Sequence, residues 1–226
     1  MISQLKKISR NCSLSISFLA VVAIPMQKEK WVELKFNKIP NNFVEDTTEG
    51  MKVTVMSSAS PLIYKMEKPI LVQGFSADLD VTGNLKKGIV QNAFGEDSVF
   101  RLGLVAIGDR KLGWFQSKVA ADWVLKLFTL APENTGLDKI YFYNLGRDGQ
   151  KTGTARQHPK SELMYEQIVA TRKPDEKTLH VEYKLNKALP VTALWLSIDG
   201  DDSKSSFTNV IKKIELMSEE AIPTHQ

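Results

Sequence analysis

The chain has 226 residues, 42% of them hydrophobic and 25% charged, with thirty Lys and Arg against twenty-six Asp and Glu. That length suits one β-type domain or at most two small ones, and about 200 residues bury a core of their own. The net charge of +4 is spread without clusters beyond the short pairs "NLKKG" and "IKKIE", so the basic stripe of a nucleic-acid binder is missing, and a lone cysteine rules out a disulfide framework.

The N-terminus joins a cationic head (Lys6, Lys7, Arg10) to a mostly apolar run from Leu14 to Met26, with no acidic residue before Glu29. This is the pattern of a secretory signal. The run is shorter than the roughly 20 residues of a membrane span, and no later segment offers one. Small residues at Val21 and Ala23 allow cleavage after Ala23. The expected layout is a signal peptide over residues 1–23, one folded domain over 27–218 and a disordered tail over 219–226, in an exported chain that is periplasmic or secreted. Removing three cations with the signal leaves twenty-seven against twenty-six, and Cys12 leaves with them. The mature chain is then near neutral and has no thiol for zinc or for nucleophilic attack.

Period-two alternation between turn residues marks strands along most of the rest. "WVELKF" sets Val32, Leu34 and Phe36 against Glu33 and Lys35, and "MKVTVMS" puts Met51, Val53 and Val55 on one face. "GFSADLDV" sets Phe75, Ala77, Leu79 and Val81 against Ser76, Asp78 and Asp80. "SVFRLGLVAIG" is apolar on both sides apart from Arg101, as a doubly covered central strand is. From Phe115 to Leu130 the rhythm changes: Phe115, Val119, Trp123 and Leu127 recur every fourth residue, which predicts one amphipathic helix ended by Pro132, with Trp123 in the core. Further strands are expected in "KIYFYNLG", "YEQIVATR", "TLHVEYKL", "VTALWLSID" and "NVIKKIEL". Between them, Gly146 to Lys160 has no hydrophobic period and reads as a long exposed loop. The expected fold class is all-β, a jelly-roll type sandwich of about nine or ten strands with one helix.

The segments "SSASPLIYKM", "EDSVFRLGLV", "FYNLG" and "LWLSIDGDDSKSSFTNVIKKIEL" together resemble an uncharacterised family of exported bacterial proteins that carry a domain of unknown function. The resemblance implies a galactose-binding-like jelly roll, and by fold analogy alone carbohydrate binding.

Three constellations carry candidate chemistry. Asp199, Asp201 and Ser203 have the alternate spacing of hard-cation ligands and, with Asp202, form a candidate Ca²⁺ site. Lys204 and Val210 stand where an EF-hand needs Gly and Glu, so that motif is excluded. The alternative is an ordinary turn in which the aspartates satisfy local backbone N–H groups. Arg101 must find a carboxylate or face solvent. Asp78 or Asp80 could pair it within the sheet, or its planar fork could grip an acidic sugar. Among the aromatics Trp31, Trp114, Tyr141, Tyr143 and Trp195 are eligible sugar platforms, with both tyrosines on one face of their strand. The candidate ligand-binding set is therefore Arg101, Asp78, Tyr141, Tyr143 and Trp195. The three histidines, His158, His180 and His225, fit no metal motif, and no "GxSxG" elbow, phosphate loop or dinucleotide fingerprint is present. A non-catalytic binding module for a glycan or an envelope component is expected. An interaction factor for an envelope protein or a small glycan hydrolase or lyase are the alternatives.

Overall fold

The computed structural model describes residues 19–86, 97–159 and 161–219. The cationic head and the first five residues of the apolar run, 14–18, lie outside the described residues, as does nearly all of the tail. In chain order the elements are β1 (Leu19–Ile24), β2 (Val32–Glu33), β3 (Phe43–Thr47), β4 (Gly50–Met56), β5 (Leu62–Gly83), β6 (Ser98–Gly108), helices α1 (Trp114–Val119) and α2 (Asp122–Phe128), then β7 (Gly136–Arg147), β8 (Ala155–Gln157), β9 (Met164–Arg172), β10 (Thr178–Asp199) and β11 (Ser206–Glu219). The fold is an all-β sandwich. No helix among the described residues is long and apolar enough to cross a membrane.

The strands bond in the order β3-β4-β11-β5-β10-β6-β7-β9-β8, with β1 on β11 and β2 on β5. Two strands of 22 residues each, β5 and β10, make this run fold over on itself. The second half of β5 pairs with the first half of β10, Gly74 against Lys184 through Asp80 against Thr178, while Leu62 to Tyr64 pair with Leu194 to Leu196. Register shifts between Lys184 and Leu189 and between Val191 and Ala193 separate the two stretches, and such bulges bend and twist a strand. Each long strand thus serves both layers. One layer extends through β11, β4, β3 and β1, and the other through β6, β7, β9 and β8.

The main core lies between the layers. Met51, Val53 and Val55 enter from β4, Phe75, Leu79 and Val81 from β5, and all six are at most 1% exposed. Phe100, Leu102 and Leu104 from β6 meet them from the opposite layer, with Leu194 and Leu196 of β10. The alternation read from the sequence is the cause, since side chains of a strand point to opposite faces in turn.

A second, smaller cluster forms on the outer face of the second layer. Val105, Ile140, Phe142, Ala193 and Trp195 point away from the main core and are covered by Leu127 and Leu130 at the end of α2. The single helix expected from Phe115 to Leu130 is two short ones, because Ala121 is extended (φ −64°, ψ 150°) and caps α2. The break turns the stripe: Leu127 is fully buried while Phe115 and Val119 are 78% and 86% exposed.

The stretch read as an open loop also carries structure. β8 runs antiparallel to β9, Arg156 opposite Glu166, and the Arg156 guanidinium donates to that buried carboxylate at 2.7 Å. The order comes from this charge pair, which leaves no hydrophobic period to detect. At the other rim, β1 lies antiparallel on β11 from Leu19 against Glu219 to Ile24 against Ile214, and Ile24 is buried.

Candidate functional site

A cleft of about 360 Å³ opens on the outer face of the second layer, beside the smaller core. Its floor comes from three neighbouring strands in register. Trp195 of β10 stands opposite Gly103 of β6, which stands opposite Phe142 of β7. Two residues along, and so on the same face, Ser197, Arg101 and Asn144 align in the same way. Gly103 is required here: a Cβ would fall 2.7 Å from both Ile140 Cγ2 and Phe142 Cε1, so the bare backbone is what lets the Phe142 ring lie across β6.

Trp195 and Phe142 are each 3% exposed and form a buried base. The accessible apolar walls are half-buried Trp123 from α2, Phe36 and Ile39 from the segment after β2, and Met164 of β9. Trp123 meets Trp195 edge-on at 6.5 Å and 88°, a favoured quadrupole arrangement that fixes the outer ring by means of the inner one. Trp123 therefore belongs to the cleft wall and not only to the core.

The polar end is built by the turn after β10. Arg101 reaches Asp199 at 3.7 Å, each side chain 13% exposed, and the guanidinium carbon lies 5.7 Å from the centre of the Phe142 ring. Neither Asp78 nor Asp80 is its partner. Asp78 accepts from His180 Nδ1 at 2.6 Å and Asp80 pairs with Lys212 at 2.6 Å, both in the first layer. Burial pushes the Asp199 carboxyl up to about 7, against the pull of Arg101 and with the help of Asp201, Asp97 and Asp202. Asp201 is raised too, by burial and then by Asp202 and Asp97.

A second segment holds this turn in place. Asn42 donates to the Ile198 carbonyl at 2.8 Å and accepts from Ser58 Oγ at 2.7 Å, and Ser60 donates to Glu33 at 2.8 Å. The Gly200 N–H bonds to the Ser58 carbonyl at 3.1 Å, and Ala59 forms a β-bridge with Asp199. The "SSAS" segment, Arg101, Asn144 of "FYNLG" and the acidic turn, far apart in the chain, thus meet at one place.

The sequence-derived candidates divide between this cleft and elsewhere. Arg101, Trp195, Asp199, Asp201 and Asp202 line it, joined by His158 and Ser197. Tyr141 and Tyr143 point away from it. Tyr143 sits in the main core, 5.1 Å from Tyr183 and 5.4 Å from Phe75 between ring centres, its phenol pushed up by burial. Tyr141 donates to Asp138 at 2.5 Å and is pushed up to about 12 by burial and that carboxylate. The ring that faces the cleft is the one between them, Phe142. Alternation in "YFYNLG", combined with the small residue at 103, is the signal that would have found it.

Of the four Ca²⁺ candidates, Asp201 and Asp202 cluster with Asp97, one carboxylate oxygen from each lying within 4.8 Å of the others. Asp199 is turned to Arg101, and Ser203 Oγ meets Ser205 Oγ. Asp97 accepts from the backbone N–H of Ser203 at 2.6 Å and of Asp202 at 3.2 Å. Those bonds close the turn by themselves, as Asp side chains do in turns generally. Asp97, Asp201 and Asp202 offer hard oxygens that a divalent cation could use.

No protein-family model matches the chain, and no curated protein shows recognisable similarity to it. Among solved structures, a xylan-binding module of the CBM15 type is similar over 90% of this chain and 100% of its own, at 11% identity and a TM-score of 0.40. The catalytic domain of Agl-KA is similar over 96% of this chain at 9% identity and a TM-score of 0.36. The catalytic domain of a GH87 alpha-1,3-glucanase in complex with tetrasaccharides follows over 92% of this chain, at 11% identity and a TM-score of 0.27. The chain spans 31% and 29% of those last two. Likenesses this distant say nothing of what the present cleft holds.

Proposed function

We propose that this chain is an exported binding module of the cell envelope, periplasmic or secreted, whose cleft takes a glycan or a related envelope component. One observation carries the reading: the partly exposed face of Trp123, backed by Trp195, stands beside the Arg101–Asp199 pair and the acidic turn in a single concavity. Sugars need both kinds of surface at once. Their C–H faces stack on flat rings while their hydroxyls seek fixed donors and acceptors. The leader-like composition of residues 1–23 supports export.

The test is retention of the purified full chain on immobilised polysaccharides, followed by titration with soluble oligosaccharides while tryptophan fluorescence is read. Binding is expected to quench the signal, and Trp123→Ala is expected to abolish binding while the variant, though less stable for the lost packing on Trp195, still unfolds cooperatively. Failure to bind any polysaccharide class overturns the reading. A second reading, contact with another envelope protein, is favoured by Trp114, Phe115 and Val119, which stand 65%, 78% and 86% exposed on α1. A Trp114→Ala, Phe115→Ala variant that loses a co-purifying protein while keeping glycan binding would support that reading independently.

A further inference from the structure

Given the cleft reading proposed above, on which this rests, we infer that the ligand is a hydroxyl-rich glycan without carboxylate or sulfate groups. The inference comes from the charges that face the cleft. Arg101 is a fixed cation among the lining residues, and its guanidinium is already committed to Asp199 at 3.7 Å and laid against Phe142. His158 is the other basic side chain of the lining. Against them stand three lining aspartates, Asp199, Asp201 and Asp202, with Asp97 close behind the last two. A uronate or sulfate entering the cleft would meet an arginine that already faces Asp199 and two further carboxylates. Concave, low-dielectric walls focus such a field, and like charges brought together at an interface cost several kcal/mol.

The same residues suit a neutral sugar. An ionised carboxylate only accepts hydrogen bonds, so the acidic wall formed by Asp201 and Asp202 suits a ligand that donates, and a polyhydroxylated ring offers donors along its whole edge. Bonds from O–H groups to a charged acceptor are short and roughly twice as strong as neutral ones. The half-buried rings of Trp123 and Phe36 then take the apolar faces of the same ring. The sharper sequence expectation, Arg101 gripping an acidic sugar, gives way because Arg101 already has its carboxylate within the chain.

The experiment compares the full chain, in EDTA and at low salt, on neutral polymers (xylan, β-glucan, galactan), a polyuronate (polygalacturonate or alginate) and a sulfated polymer. At least one neutral polymer is expected to bind, with the anionic polymers about tenfold weaker or more, a gap of the size that like-charge repulsion produces. The gap is expected to narrow as salt rises, because screening weakens repulsion between partly exposed charges. The Asp201→Asn, Asp202→Asn variant, confirmed folded by its melting curve, is expected to gain affinity for polygalacturonate. Anionic polymers binding as tightly as neutral ones, either in EDTA or only after Ca²⁺ is added, would overturn the inference and leave the glycan reading standing. Binding to none of the polymers would sink both.

Discussion

A buried charge shows most sharply what a single residue contributes. Glu166 is 1% exposed and Arg156 holds it at 2.7 Å, yet the arginine side chain is itself 21% exposed. The two halves of the pair are therefore unequal. Arg156→Ala strands a carboxylate in the interior and is expected to cost about 3 kcal/mol or more, the usual penalty for breaking a buried pair. Glu166→Gln lets the arginine turn to water and should cost clearly less. Urea unfolding of both variants checks the order, and equal losses would show that β8 is not pinned by this contact. At the surface, the short bond from His180 to Asp78 raises the imidazole above its ordinary value, with Glu182 adding to the effect. A group whose folded pKa is raised contributes stability that is fully present below its unfolded value, about 6.5, and fades as the pH climbs through the folded one. Asp78→Asn is accordingly expected to lower the melting temperature clearly more at about pH 5.5 than at about pH 9, where the histidine is neutral in both proteins and only the attraction of Asp78 for Lys212 and Lys213 is lost.

Elements follow from patterns of residues, and here some were legible and others not. Alternation in Met51 to Val55 and Phe75 to Val81 announced inner strands, since every apolar member of both sets is buried. The acidic turn and Arg101 were likewise marked by residue type alone. Pairing across the sheet was not. Nothing local says that Arg101 meets a residue 98 positions later and not Asp78, because contact between strands is set by register. Nor could β5 be seen as one strand, for Pro69 interrupts its pattern near the place where it passes from one layer to the other. Arg172 was missed as well: 7% exposed, it donates to Asn84 and to the carbonyls of Glu176, Val81, Gly83 and Pro174, a structural clamp with no motif behind it. At this scale Gly103→Ala should be costly. Its methyl would strike Ile140 and Phe142, and the strain of overpacking, about 1 to 3 kcal/mol, would come with a displaced cleft floor. A melting shift accompanied by unchanged affinity for the ligand would contradict the part assigned to Phe142. Leu127→Ala, which opens a void beneath α2, is expected to cost about 2 to 5 kcal/mol by chemical denaturation.

The molecule as a whole is one curled sheet whose two long strands belong to both layers, so the inner core and the outer cleft share a backbone. Chelation tests the integrity of the acidic end. Because Asp97 takes the N–H groups of Asp202 and Ser203, the turn closes without an ion, and EDTA is expected to leave the melting temperature unchanged. A drop restored by added Ca²⁺ would instead place a cation on Asp97, Asp201 and Asp202, since a ligand held only by the folded form stabilises it by mass action. The placement of β1 has a different reach. Leu19 to Ala23, the stretch that ends the leader-like segment, supplies most of the rungs along the last residues of β11. A peptidase cutting after Ala23 would unpick that hem and strip the β1-facing edge of residues 215–219 while β5 holds the other edge, the kind of rim that recruits an extended peptide from a neighbour. On the export reading proposed above, trimming and stickiness would be coupled: a cut at that point would also arm one border of the sheet for assembly.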